Sequence, residues 1–143
     1  MNTMIITNDN NNIYLSWRDS DGNKVIKNDT YKPYFYIKET AREPTTYKVS
    51  KTITRDYEYE HGDWVNLEGE SLKKVYVDMP KDIYRAKDNF SQTYEADVPM
   101  HYRYAIDEMK SIPEYNMRKW YWDMEWQQGG EHDNKITAIV CYD

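Results

Sequence analysis

Asp123 and Glu125 stand two residues apart inside the run Trp120-Tyr-Trp-Asp-Met-Glu-Trp126. On a β-strand, successive side chains point to opposite faces. Both carboxylates therefore share one face, and Trp120, Trp122, Met124 and Trp126 share the other. Carboxylates held side by side are hard oxygen donors suited to Mg²⁺ or Mn²⁺. Two such ions, ~3.5–4 Å apart, activate a water and stabilise the leaving oxygen of a phosphodiester. On pattern alone, a solvated pair of acids on an amphipathic edge strand is the plainer reading. Tyr121 falls on the acid face, where aromatic stacking on a base is worth ~1–3 kcal/mol; a structural Tyr is the commoner outcome.

The elements that must position these residues follow from periodicity and turn chemistry. Met4–Thr7, Ile13–Trp17, Lys24–Lys27, Tyr34–Ile37 and Lys73–Val77 read as short strands, and Tyr47–Tyr59 is β-prone. Asp21-Gly22 between two apolar runs predicts a tight hairpin, and His61-Gly62-Asp63 predicts another turn. Residues 41–46, with Pro44, read as a loop. Pro80 opens a helical stretch over Lys81–Asp88. A second helix follows Pro99, capped by Asp97, with Val98, Tyr102, Ala105, Ile106 and Met109 at helical spacing. Ser111–Glu114 is a connector. Strand Lys119–Trp126, a turn over 127–134 containing Gly129-Gly130, and strand Lys135–Tyr142 follow. The fold class is α+β: an antiparallel β-rich unit over 1–112 with two short helices, then a β-hairpin unit over 113–143.

Composition narrows the function classes. The formal net charge is −6 over 143 residues, which argues against a dedicated DNA-coating protein, since those are basic. Aromatic residues reach 15%, with 15 Tyr against 2 Phe. That content argues against disorder despite a mean hydropathy of −1.04. Cys141 is the single cysteine, so no intrachain disulfide forms and a reducing compartment is expected. It lies in an apolar strand and reads as a small buried hydrophobe. No basic-then-apolar leader and no long apolar run occur, which predicts an intracellular, unsecreted chain with no membrane partner.

Three segments in order resemble the N-terminal part of family B DNA polymerases. Tyr34-Phe-Tyr-Ile37 is similar to a strand of that family's N-terminal domain. Tyr94-Glu-Ala-Asp97-Val-Pro99, continuing to Arg103-Tyr-Ala-Ile-Asp107, resembles the signature just upstream of the 3′→5′ exonuclease domain. Trp122-Asp123-Met-Glu125 resembles the first exonuclease motif, with Met124 where Ile is common. Lys135–Tyr142 looks like the next strand of the same sheet. The resemblance is densest from Thr93 onward and thinnest over Thr40–Glu70.

The resemblance implies that residues 113–143 begin an RNase H-like exonuclease domain. It implies Asp123 and Glu125 as catalytic metal ligands for Mg²⁺ or Mn²⁺ in a two-metal site. The other ligands, from N-x-x-(F/Y)-D and Y-x-x-x-D motifs, are absent here, so the site is completed only by residues beyond this chain. The 143 residues are expected to be inactive alone. The implied partners are a DNA template and primer, the rest of the polymerase polypeptide and a processivity factor. The implied setting is the cytoplasmic or nuclear compartment of a host, with a viral or phage source in keeping with the Tyr- and Asn-rich style.

The remaining candidates have plainer readings. Arg103 is expected to pair with a nearby carboxylate and fix packing between the two units. His61, His101 and His132 have no partner at zinc spacing. Lys48, Lys51, Lys73 and Lys74 read as a solvated face rather than phosphate contacts. The competing function is a non-enzymatic module that stacks single-stranded nucleic acid on Tyr and Trp, or an assembly module that pairs through the terminal hairpin.

Overall fold

The computed structural model describes residues 4–109, 121–126 and 136–142. They form an α+β arrangement in which every strand pairing is antiparallel. The first sheet is a meander of β1 (Ile5–Asp9), β2 (Asn12–Arg18) and β3 (Lys24–Thr30). Its second turn is the expected hairpin. Gly22 takes φ 84°, and the Asp19 carboxylate accepts the backbone N–H of Asp21 at 3.0 Å and of Asn23 at 2.8 Å. An Asp side chain that mimics a backbone acceptor stabilises such a turn locally.

The second sheet has the order β4-β8-β7, from β4 (Tyr34–Lys38), β7 (Glu58–Val65) and β8 (Ser71–Tyr76). A small hairpin of β5 (Thr46–Lys48) and β6 (Thr54–Asp56) stands beside it. Alternation along β4 and β8 separates two faces. Phe35, Ile37 and Val75 lie on one and are fully buried with Tyr47, Tyr57, Val77 and Ala86. Tyr34, Tyr36, Lys74 and Tyr76 lie on the other.

The helical stretch from Pro80 is irregular. A 3-10 turn (Pro80–Asp82), α1 (Ile83–Ala86) and a second 3-10 turn (Lys87–Asn89) follow one another. Tertiary bonds hold this run more than helix propensity does. Asp82, 2% exposed, takes Arg55 Nη1 at 2.5 Å and the Tyr47 hydroxyl at 3.2 Å. The Tyr57 hydroxyl donates to the Ala86 carbonyl at 2.6 Å. The longer α2 (Met100–Glu108) packs Met100 and Tyr104 on Ile13 and Leu15 of the first sheet.

Several expectations are corrected. His61-Gly62-Asp63 is no turn; it lies inside β7, where the pairing with β8 slips between His61 and Trp64. Gly is favoured there because an added Cβ would come within 2.7 Å of the Trp64 ring. Asp97 makes no capping bond: α2 opens after Pro99, whose carbonyl accepts the N–H of Tyr102 and Arg103. The buried face of α2 is Met100, Arg103 and Tyr104, while Tyr102 and Ile106 are exposed. Lys73 is not solvated; it is 2% exposed, and its ammonium donates to the carbonyls of Glu39 and Ala41 and to the Glu43 carboxylate. Cys141 is exposed rather than buried. The connector at Ser111–Glu114, the boundary near 112–113, Trp120, Gly129-Gly130, His132 and the ends of the last two strands at Lys119 and Lys135 lie outside the described residues.

Candidate functional site

The acid pair sits on β9 (Tyr121–Trp126), which pairs with β10 (Ile136–Tyr142). Asp123 faces Val140 and Glu125 faces Ala138, with regular spacing along β9. Both acids are exposed, and Asp123 Oδ1 accepts the Met124 N–H at 2.9 Å. Parity along the strand puts the two carboxylates on one face. That face has the hard oxygen donors that Mg²⁺ or Mn²⁺ takes. Among the described residues no three His, Cys, Asp or Glu gather at metal-binding distance. Tyr121 opens β9 opposite Tyr142; its side chain lies outside what is described.

The opposite face of the hairpin carries Trp122 and Met124 facing Cys141 and Ile139. Trp122 is 64% exposed and Ile139 61%. Among the described residues, Trp122 and Ile139 are left uncovered.

The Tyr94–Asp107 block is built differently. Its residues clip α2 onto the polar face of the second sheet. Tyr94 forms a two-way backbone bridge with Tyr36, with N–H to carbonyl distances of 2.8 and 3.0 Å. The next residue, Glu95, takes φ 56°, a left-handed conformation uncommon for a residue with a Cβ. That turn aims its carboxylate at Arg103, which it pairs. Arg103 is 5% exposed, and its guanidinium carbon lies 4.8 Å from the Tyr34 ring centre and 5.8 Å from that of Tyr36. Guanidinium over an aromatic face is a favourable cation–π contact.

One turn further along α2, Asp107 accepts hydroxyls from both Tyr31 and Tyr34, the latter at 2.5 Å. Burial first, then the hydrogen bond to Asp107, pushes both phenols far above their ordinary range. They therefore stay protonated and donate. Burial works against the Arg103 charge, and the Glu95 carboxylate and Tyr34 together outweigh it, so the guanidinium stays above its usual pKa. The carboxylate partner expected for Arg103 is Glu95, and among the described residues the pair ties α2 to the second sheet. Sequence reasoning missed the roles of Tyr31, Tyr34 and Asp107. The only available signal was the Arg103–Asp107 spacing of four, which places both on one helix face.

His61 and His101 are separate from both groups. His61 Nδ1 is 2.5 Å from Glu39 and its Nε2 3.6 Å from Glu43. His101 contacts Asn8 at 3.2 Å. No described helix is long and apolar enough to cross a membrane.

The architecture belongs to the broad class of antiparallel α+β domains. No family model matches the chain, and neither does any curated protein. Among solved structures, its fold is similar to that of the family B DNA polymerase from the hyperthermophilic archaeon Pyrobaculum calidifontis. The TM-score is 0.52 at 20% identity, over 75% of this chain. This chain spans 15% of the length of that polymerase.

Proposed function

We propose that this chain is the N-terminal portion of a family B DNA polymerase, leading into its 3′→5′ exonuclease domain. The observation that carries the reading is the fold likeness over three quarters of the chain. The Tyr94–Asp107 block and the Asp123–Glu125 strand support it from the sequence side. In this reading the full protein extends DNA and proofreads it. Asp123 and Glu125 would hold Mg²⁺ or Mn²⁺, and the metal would supply a polarised water and charge stabilisation for phosphodiester cleavage. This chain's own contribution is the strand geometry that keeps both carboxylates on one face. The remaining ligands, the DNA and the rest of the polypeptide are partners it does not itself contain.

The test is Mn²⁺ titration of the 143-residue chain followed by NMR. Paramagnetic broadening is expected at the amides of residues 123–125 and is expected to vanish in the Asp123→Ala/Glu125→Ala double variant. Broadening spread evenly over all surface carboxylates would overturn the metal role. Strong Mg²⁺-dependent exonuclease activity from this chain alone would overturn the view that it holds part of a site.

An assembly module is the second reading. Its support is the exposed Trp122–Ile139 face, since large uncovered apolar patches mark interaction sites. Self-association in sedimentation, abolished by Trp122→Ser with Ile139→Ser, favours it over the polymerase reading.

A further inference from the structure

We infer that a groove between the end of β7, the β7–β8 turn and α2, bordered by Arg103 and Tyr36, docks a basic, apolar segment of a partner protein. This goes beyond the polymerase reading and does not rest on it. The groove encloses about 940 Å³, the size of a well-formed binding cleft. Its walls are Trp64 and Val65 from the end of β7, Leu67 from the β7–β8 turn, Leu72 from β8, and Val98 and Ile106 beside and on α2. Leu67 is fully exposed, Ile106 70% and Val65 61%. Three large aliphatic side chains bared around one concavity make a contiguous apolar patch rather than scattered surface residues.

The position of these residues is not an accident of loose structure. Asn66 accepts the N–H of Glu68 and Glu70 and donates to Glu70 and to the Tyr94 hydroxyl. This network holds the turn that presents Leu67. Gly69, at φ 80°, completes it. A preformed turn lowers the ordering cost of binding.

Charge selects the occupant. Among the described residues, Asp63, Glu95 and Asp107 line the groove against one guanidinium, that of Arg103, which Glu95 already pairs. Glu68 stands exposed next to Leu67. Such a rim repels phosphates and attracts Lys and Arg. An amphipathic segment with aliphatic residues flanked by cations matches both the walls and the rim. Single-stranded nucleic acid matches the aromatic wall alone.

The experiment uses the full 143-residue chain and fluorescence anisotropy with three probes. These are a fluorescein-labelled Leu/Lys amphipathic peptide, a Leu/Glu peptide of the same pattern, and labelled oligo(dT). Binding of the Leu/Lys peptide is expected, and binding of the other two is not. Leu67→Ser with Ile106→Ser is expected to weaken it about tenfold or more. Ile26→Ser, an exposed apolar change on β3, is expected to leave it unaltered. Both groove substitutions are at exposed positions, and unchanged circular dichroism certifies the fold. Undiminished binding in the groove variant would reduce the attraction to net charge and overturn the proposal. Preferential oligo(dT) binding overturns it in favour of nucleic acid. Concentration-dependent dimers lost in the groove variant, without peptide binding, overturn it in favour of a second copy.

Discussion

Glu95 reaches Arg103 from a left-handed backbone at φ 56°, only eight residues away, and meets a guanidinium that is 5% exposed. A residue with a Cβ in that conformation is strained, and the ion pair offsets the strain. Glu95→Ala leaves Arg103 buried without its carboxylate and is expected to cost about 2–3 kcal/mol, less than a fully buried pair because Glu95 is half exposed. Glu95→Gly removes the pair but relieves the backbone, so it should be more stable than Glu95→Ala by about 0.5–1 kcal/mol. Urea denaturation of the two variants checks the order.

The two phenols on Asp107 make the second prediction. Asp107→Ala strands the hydroxyls of the buried Tyr34 and the partly exposed Tyr31, at an expected cost of about 1–3 kcal/mol. Tyr34→Phe alone leaves Asp107 its other donor and is expected to cost about 1 kcal/mol. A double-mutant cycle between Tyr34→Phe and Asp107→Ala should give a coupling well above zero.

Acid should loosen the fold through particular carboxylates. The Lys73 ammonium holds Glu43 below the ordinary carboxylate range, and the Tyr104 hydroxyl does the same for Asp29. A folded-state pKa below the unfolded value binds fewer protons in the native state. The stability is therefore full above the unfolded pKa, near 4, and is lost as pH falls through the folded one. Thermal melts are expected to be flat from neutral pH to about 5 and to fall below it. Lys73→Met should reduce the slope of that fall, which melts at several pH values read directly.

Gly62→Ala drives a methyl against the Trp64 ring. The ring is a side chain and can turn away, so the expected cost is modest, about 1 kcal/mol. The readout is local: Trp64 would leave Lys74, whose ammonium sits 4.5 Å over it, and tryptophan emission should shift while far-ultraviolet circular dichroism stays constant.

Much of the strand order was legible because its signals are local. Asp21-Gly22 demanded a hairpin, and alternation in Tyr34–Ile37 and Lys73–Val77 demanded strands. The misread positions share a cause. Lys73, read as solvated, is charged and yet buried because carbonyls and a carboxylate distant from the strand pattern satisfy it. Arg103 pairs with a carboxylate as expected, but its burial on α2 turns the inward face away from Tyr102 and Ile106. Gly62 signals a turn in most contexts, and here it makes room for a ring two residues on. For the acid pair, strand parity was readable, while anything that would complete a metal site is not a property of two residues.

The Tyr36–Tyr94 bridge has a directional consequence. It occupies the outward N–H and carbonyl of the middle residue of β4, and so closes that margin of the second sheet to any incoming chain. The opposite margin, β7, has no described strand beyond it and carries the irregularity at Gly62. Growth of this sheet by strand addition is thus steered to one side, and the kink there sets the phase that a newcomer must match.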